Sequence, residues 1–306
     1  MIFQILAYST SLNLGAPLVS EDLVAQLNSM PNRTYKAKLY PKFKSMSIGD
    51  AYEFLSPLRP SFLSTGSAVP VGGDQKMLSL FERHMISGAS SQQDGLEKFE
   101  DRNYYVPVYD STQLCATWAP AVTSAVSITT SRWGHSFINF SIQFIIDCDI
   151  IGDPCAERPP VSAYRAFWSY TRVPQTDRWD EPGKGGRKSA TEPPVEDFDY
   201  SRCGDPSYCY PGTTGCSRDY SLTGSCNPVG DDEEFTCPIY HLFNWRYIKS
   251  HLWEVGAVTS SIAISQSFFT YEGGIYPNPE EYSSQDFVGM IDVTIIGWGE
   301  EDGVDF

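Results

Sequence analysis

The stretch 110-DSTQLCATWAPAV-122 places two candidate nucleophiles at the start of a predicted helix. The spacing of apolar residues predicts that this helix runs from about Thr117 to Ser131. A cysteine at a helix N-terminus ionises more easily, because the helix dipole lowers the pKa of its thiol. Here Cys115 lies before that position and Thr117 occupies it. A threonine hydroxyl ionises far less readily than a thiol, so Thr117 would need a separate base to act as a nucleophile.

The histidines do not supply an evident base for either residue. We interpret all four as surface or packing residues: His84, His135, His241 and His251. The chain also lacks a G-x-S-x-G elbow, a phosphate-binding P-loop and an H-E-x-x-H zinc motif. The sequence therefore supports no hydrolase of those classes.

The eight cysteines all fall between positions 115 and 237, and five of them lie in a loop-like region rich in Gly, Pro, Tyr and Ser. An even number of cysteines in such a region predicts a disulfide framework and an oxidising compartment. A zinc site would require closely spaced Cys or His pairs, which this region lacks. We therefore expect no metal and no other cofactor. The disulfide candidates are Cys115, Cys148, Cys155, Cys203, Cys209, Cys216, Cys226 and Cys237.

The composition is that of an acidic globular chain. Of its 306 residues 41% are hydrophobic, and the net charge is −16. The apolar fraction is sufficient for a buried core. The negative charge argues against nucleic acid or an anionic membrane surface as a partner, because both require basic patches. We interpret the acidic run 230-GDDEEF-235 as a solvated loop, with a docking patch for a cation or a basic partner as the alternative.

Residues 1–17 have some features of a secretory signal peptide. Residues 2–8 form a short apolar run and 15-GAP-17 supplies small residues, although the usual preceding positive charge is missing. No apolar run reaches the roughly 20 residues that cross a bilayer, so no transmembrane segment is predicted. We expect a protein of the secretory pathway, extracellular or in a lysosome-like vesicle. The sequence does not indicate an oligomeric state.

Helices are predicted in the first part of the chain and strands at its end. A helix over 23–30 would be capped by Ser20 and ended by Pro31, and a second over 47–55 would be capped by Ser47. Later elements are a helix over 239–252 and strands over 257–264 and 291–299. This order favours an α+β fold with two packed lobes.

Four ordered blocks of sequence resemble the papain family of cysteine peptidases, in particular its cathepsin B-like members with their propeptides. The blocks are 32-NRTYKAKLYPKF-43, 110-DSTQLCATWAPAV-122, 140-FSIQFIIDCD-149, and 256-GAVTSSIAISQSFFTYEGGIY-276 with 289-GMIDVTIIGWGEEDGVDF-306. The last is similar to the family's G-P-V-x-V-A and G-H-A-V-x-I-V-G-W-G elements without a gap. The second is similar to D-Q-G-x-C-G-S-C-W-A-F-S. The first matches a propeptide element in kind at Tyr35, Ala37 and Phe43.

This resemblance implies the papain-like two-lobe fold, with a helical lobe and an antiparallel β-barrel-like lobe. It divides the chain into a possible signal peptide (1–17), a propeptide-like segment (18–65), a linker (66–100) and a papain-like peptidase domain (101–306). It also implies a second lobe that is incomplete, because Phe306 precedes the segment in which the family has Asn-Ser-Trp.

The resemblance further implies a site in which the chemical roles are changed. A gap-free register anchored on the Trp-Ala pair places Thr117 at the nucleophile position and Ser111 at the position of the oxyanion-hole Gln. The general-base position falls on Ile291, which has no proton to exchange. The orienting Asn belongs to the segment after the end of this chain. We therefore expect no active catalytic residues.

The resemblance also suggests pairings for three of the cysteines. Cys115 would take over a bridge that the family makes one position earlier and would pair with Cys155, with a free thiol or a nucleophile as the alternatives. Cys148 would pair with a mid-chain cysteine such as Cys203 or Cys209.

The substrate cleft is expected to differ from that of the family. The family has Cys-x-Gly-Gly, where glycine lets a substrate backbone approach closely. Here Ala156-Glu157-Arg158 follows the cysteine, and its charged side chains should hinder peptide docking. Gln143 is interpreted as a packing residue. The adjacent His pair of the cathepsin B occluding loop is missing, so carboxydipeptidase activity is not implied.

Three functions remain open from the sequence. The first is a catalytically inactive relative of cathepsin B-like peptidases that binds peptide or protein ligands, as a decoy or adhesion protein, or has a structural role. The second is an active peptidase with an atypical site that uses Cys115. The third is a truncated, non-functional product.

Overall fold

The computed structural model describes residues 13–52, 55, 98–100, 104, 106–109, 117–134, 137–148, 173–179, 201, 203, 245–276 and 287–306. The helices are α1 (Glu21–Ser29), α2 (Pro41–Lys44), α3 (Ile48–Tyr52), α4 (Trp118–Gly134), α5 (Ile142–Asp147), α6 (Thr176–Trp179) and α7 (Trp245–Glu254), and a 3-10 helix spans Gln266–Thr270. The strands are β1 (Tyr35–Ala37), β2 (Lys98–Glu100), β3 (Val258–Ser265), β4 (Tyr271–Gly274), β5 (Phe287–Ile295), β6 (Gly297–Glu301) and β7 (Val304–Asp305).

The strands form small sheets beside the helices. Strand β1 pairs antiparallel with β4, β2 with β6, and β6 with β7. Strand β3 lies beside β5 in a separate two-stranded sheet. This mixture of helices and antiparallel strands is the α+β class that the sequence predicts.

The chain divides into two compact units. The first unit combines Met1–Arg59 with Ile262–Ile291, and the second combines Pro60–Ser261 with Asp292–Phe306. Strands β3 and β5 each run through both. The first unit thus joins the N-terminal segment to a stretch more than 200 residues later, which the order of elements along the sequence does not reveal.

The core of the second unit is built around α4. This helix buries Trp118, Val122, Ala125 and Ile128, which recur at three- and four-residue spacing. The short helix α5 packs beside it with its apolar side chains fully buried. Its first turn is capped by Ser141, whose hydroxyl accepts the Phe144 N–H at 2.9 Å.

The predicted caps of the first unit are confirmed. The Ser20 hydroxyl accepts the Leu23 N–H at 3.1 Å, and α1 ends at Ser29, before Pro31. At the start of α3 the Ser47 hydroxyl accepts the Asp50 N–H at 3.1 Å, and the Asp50 carboxylate accepts the Ser47 N–H at 2.7 Å. This reciprocal arrangement is a capping box.

The prediction of one strand over 291–299 is wrong, because the chain changes partners within it. Strand β5 ends at Ile295 beside β3, whereas β6 begins at Gly297 and pairs with β2. A side chain at Gly297 would overlap the Phe99 carbonyl oxygen, so glycine permits the close pairing. The apolar pattern continues through both strands, and therefore the sequence shows no boundary.

None of the described helices is both long enough and apolar enough to span a membrane.

Gly256 connects α7 to β3 in a conformation that only glycine adopts without strain. Its φ is 150°, and a Cβ at this position would overlap the side chain of Thr129 on α4. The close approach of the two segments therefore depends on the absence of a side chain.

We expect Gly256→Ala to lower the free energy of unfolding by at least about 2 kcal/mol, because it adds backbone strain and overlap with a buried helix. Gly273→Ala is the matched control, since a Cβ there would meet no atom within 4 Å. Urea titration of both variants measures the difference. Equal unfolding midpoints for the two variants would show that the contact with Thr129 is unimportant.

His251 lies in the last turn of α7 in a neutral state. Its Nδ1 is buried and has no hydrogen-bond partner among the described residues. Burial, followed by the nearby positive charge of Arg132, lowers the pKa of the imidazole to about 4. Arg132 itself donates from its guanidinium to the Leu252 carbonyl at 2.8 Å and to the Trp253 carbonyl. The guanidinium thus ties α4 to the end of α7.

We expect this imidazole to make stability depend on pH. The unfolded chain binds a proton at His251 near pH 6.5 and the folded chain near pH 4. The contribution of the neutral imidazole to the free energy of unfolding is therefore fully present above pH 6.5 and is lost as the pH falls towards 4. The loss is at most about 3 kcal/mol. Urea midpoints at pH 7.5 and 4.5 should fall less in His251→Gln than in the unaltered chain, while other titrating groups affect both alike. An identical pH dependence in the two chains would refute the assignment.

Candidate functional site

The candidate site begins at the residue directly before α4. Thr117 lies at the nucleophile position of the sequence register and is 6% exposed. The helix that follows is 17 residues long, and its N-terminus carries the positive end of the helix dipole. A group placed here is therefore favoured when it is negatively charged or accepts hydrogen bonds.

The partner of Thr117 is a carboxylate. The Thr117 hydroxyl donates to Oδ2 of Asp292 on β5 at 3.1 Å. The Ser261 hydroxyl on β3 donates to Oδ1 of the same carboxylate. Both oxygens of Asp292 thus accept a hydroxyl from a different element, and these bonds connect the head of α4 to the two neighbouring strands.

Strand alternation decides which side chains of β5 reach this position. Successive residues of a strand point to opposite faces, so Asp292 and Thr294 share one face. The Thr294 hydroxyl donates to the Ala121 carbonyl in the first part of α4 at 2.8 Å. The polar face of β5 is therefore directed at α4 by two independent hydrogen bonds.

Ile291 belongs to the opposite face of the same strand. It is partly buried and packs against the apolar cluster of the first unit, which includes Ile264, Phe269 and Val288. Its side chain supplies neither a donor nor an acceptor. The residue at the general-base position of the sequence register is therefore a packing residue in the structure.

The electrostatics at the head of α4 differ from those that a thiolate requires. A nucleophilic thiol is activated by a positive neighbour such as an imidazolium. Here the neighbour is the carboxylate of Asp292, which repels a second negative charge and competes for the dipole of α4. His251, the one histidine among the described residues, lies on α7 beside Arg132.

The third block of the sequence forms a buried support beside this site. Gln143 donates from Nε2 to Oδ1 of Asp147 at 2.7 Å, and Trp179 donates from Nε1 to Oδ2 of the same carboxylate at 2.9 Å. Asp147 and Trp179 are fully buried. These contacts give Gln143 the packing role that the sequence predicts.

A disulfide joins the end of α5 to the mid-chain region. Cys148 is bonded to Cys203, which is one of the two partners that the resemblance suggests. The other candidates lie outside the described residues: Cys115, Cys155, Cys209, Cys216, Cys226 and Cys237. The same holds for Ser111 and for 156–158. Within the described ranges no group of three or more His, Cys, Asp or Glu residues could hold a metal ion.

The sequence reasoning missed Asp292 and Ser261. A register centred on the catalytic histidine directs attention to Ile291 and passes over the next residue. The available signal was a lone charged residue within the strand 287-FVGMIDVTI-295, because a carboxylate in an apolar strand needs a hydrogen-bonding partner.

Comparison with known proteins places the chain in a family. Residues 97–306 match the family described as papain family cysteine protease. A cathepsin B-like cysteine proteinase 3 of Caenorhabditis elegans is 37% identical over 59 residues, which are 19% of this chain and 15% of the relative. Cathepsin Z of Onchocerca volvulus is 24% identical over 220 residues, which are 67% of this chain and 58% of that protein. The chain thus spans well under two thirds of the length of either relative.

A solved structure gives the same result for the fold. Procathepsin B S9 from Trypanosoma congolense superposes with a TM-score of 0.56 at 19% sequence identity, covering 95% of this chain and 86% of that one. At this identity the likeness concerns the fold. The family match extends over more than half of the chain, from β2 through the Thr117–Asp292 pair to β7. The chain therefore belongs to the papain family of cysteine proteases, with a papain-like α+β fold and a resemblance to the cathepsins of that family.

Proposed function

We propose that this chain is a non-cleaving member of its family, which uses the papain-like fold to bind a peptide or protein ligand. The observation that supports the absence of cleavage is the hydrogen bond from the Thr117 hydroxyl to the Asp292 carboxylate, whereas the binding role is proposed from the family fold. This hydrogen bond supports the proposal because, in the register that assigns Thr117 to the nucleophile position, a poor nucleophile and a negative charge stand in for a thiolate and a positive charge.

Asp292 does not replace a catalytic imidazole. A carboxylate is a weak base for an aliphatic hydroxyl, and in its ionised form it has no proton to give to a leaving amine. Its two oxygens already accept the hydroxyls of Thr117 and Ser261. We assign Asp292 to holding the head of α4 against β3 and β5.

The general-base position supports the same proposal. Ile291 packs in an apolar cluster and has no titratable group. With Thr117 bonded to a carboxylate, we propose that both the nucleophile and the general base of this family are replaced here by residues with structural roles. The proposal also includes Ser111 at the position of the oxyanion-hole Gln, and this part is inferred from the sequence alone.

The compartment proposed for this binding function is the secretory pathway, outside the cell or in a lysosome-like vesicle. The Cys148–Cys203 disulfide supports it, because structural disulfides persist in oxidising compartments. A competing proposal is an active peptidase that uses Cys115, and the following experiment separates the two.

We expect purified full-length protein to release no product from a dipeptidyl fluorogenic substrate and to form no covalent adduct with an epoxide-type cysteine probe. An active cathepsin B assayed in parallel shows that substrate and probe work. Thr117→Ala and Cys115→Ala should leave both signals at the level of the buffer blank. Cleavage that is lost in Cys115→Ala would establish the atypical enzyme, and cleavage lost in Thr117→Ala would establish a threonine nucleophile.

A second test examines the effect of the Asp292 charge. In Thr117→Cys the introduced thiol should ionise at or above the usual value near 8.5, because the adjacent carboxylate disfavours the thiolate. Adding Asp292→Asn should lower that pKa by about one unit or more, since the α4 dipole then acts without opposition. The pH dependence of iodoacetamide modification, followed by mass spectrometry on the peptide that contains position 117, reports the midpoint.

Ser261→Ala in the same Thr117→Cys background is the matched control. It removes a hydrogen bond to the carboxylate but leaves the charge, so the midpoint should not fall. A midpoint unaffected by Asp292→Asn would mean that the carboxylate does not control this position.

A further inference from the structure

We infer that the fold selects one of two potential glycosylation sites, so that Asn32 carries an N-linked glycan and Asn139 does not. Both residues begin an Asn-x-Ser/Thr acceptor sequence, 32-NRT-34 and 139-NFS-141. Such glycans belong to secreted proteins, so the inference rests on the compartment named in the proposed function. The choice between the two asparagines rests on their surroundings in the fold.

The side chain of Asn32 is free to carry a bulky group. Asn32 is exposed in the turn between α1 and β1, and its side chain makes no hydrogen bond with a described residue. Its φ is 59°, a left-handed backbone conformation in which asparagine is enriched. A glycan on this amide would therefore displace no contact among the described residues.

The turn that presents Asn32 is held by its neighbours. The Arg33 guanidinium lies 3.6 Å from the centroid of the Tyr35 ring and donates from Nη1 to Oδ1 of Asn28 at 3.2 Å. Asn28 in turn donates from Nδ2 to the Ala37 carbonyl at 2.9 Å. The shape of the turn thus does not depend on the side chain that would be modified.

Asn139 lies in very different surroundings. It is partly buried, and its Oδ1 accepts the Tyr109 hydroxyl at 3.3 Å. The other two residues of its acceptor sequence, Phe140 and Ser141, are both 0% exposed. The Ser141 hydroxyl, which the acceptor sequence requires, accepts the Phe144 N–H at the start of α5. In the folded chain this acceptor sequence is therefore covered.

The Asn32 acceptor sequence also stays without its tertiary contact for longer during synthesis. The Thr34 hydroxyl donates to the Ile275 carbonyl, which lies 241 residues later in the chain. At about 5–20 residues per second, this partner is made about 12 to 48 s after Thr34. The glycan can be attached throughout that interval.

The Asn139 acceptor sequence acquires its contacts much sooner. The Asn139 carbonyl accepts the Thr176 hydroxyl, which lies 37 residues later, so this partner follows after about 2 to 7 s. The partner of the Ser141 hydroxyl lies only three residues later. Sequence separation and burial thus both favour modification of Asn32.

The test uses the full chain in a secreting eukaryotic cell, with an added signal peptide and a C-terminal tag that has its own acceptor sequence. A glycan on the tag reports entry into the secretory pathway, so the choice between the two asparagines is measured independently of the proposed compartment. The same chain without the added signal peptide tests that compartment. Release of the glycans in heavy-oxygen water marks each modified asparagine for mass spectrometry, and occupancy should be at least tenfold higher at Asn32 than at Asn139.

Asn32→Asp and Asn139→Asp form a matched pair of variants. Aspartate tolerates the left-handed conformation at position 32 and can accept the Tyr109 hydroxyl at position 139, so neither change should disturb the fold. Asn32→Asp should remove the mass of one glycan on a denaturing gel, whereas Asn139→Asp should leave the mass unchanged. Thr34→Ser should keep the glycan and Thr34→Ala should lose it.

Two results would overturn the inference. One is an unmodified Asn32 in chains whose tag carries a glycan. The other is an occupancy at Asn139 equal to or above that at Asn32, which would show that burial and early contacts do not protect this acceptor sequence.

Discussion

The carboxylate of Asp292 at the head of α4 is the interaction on which the rest of the site depends. It accepts the hydroxyls of Thr117 and Ser261 and so joins one helix to two strands. A negative charge near a helix N-terminus is favourable for the fold, because it complements the dipole. The same charge is unfavourable for a thiolate, since two anions would then share one helix end. The arrangement that stabilises this structure therefore opposes the chemistry typical of the family.

The two faces of β5 have different roles, so adjacent residues of this strand contact different parts of the protein. Asp292 and Thr294 lie on the face that bonds to α4, whereas Ile291 lies on the other face and packs in the cluster of the first unit. Because successive side chains of a strand point to opposite faces, a shift of one position along the strand moves a side chain from one environment to the other. Ile291 thus extends the apolar core to which Leu18 and Ile264 contribute.

Much of the local structure could be predicted from the sequence because its causes are local. Ser20 and Ser47 cap helices through residues three positions away, and the spacing of apolar residues predicted α4. The change of partner at Ile296 could not be predicted, because it depends on β2 and β3, which are distant in the chain. Neither could the role of Asp292, since Thr117 and Ser261, which donate to it, lie 175 and 31 residues away. A charged residue in an apolar strand indicates that a partner exists but does not identify it.

The sequence by itself determined the family and the α+β class, because ordered motifs carry that information directly, and it predicted Thr117 and Ile291 for the nucleophile and base positions. The tertiary structure alone decided what these residues contact: Thr117 donates to a carboxylate and Ile291 packs in a core. It also decided that Gly274 lies against the backbone of Thr34. These roles arise from groups that meet only after the chain has folded. Their energies depend on the separation of charges, the exclusion of water and the fit of surfaces, none of which is encoded in the spacing of residues along the chain.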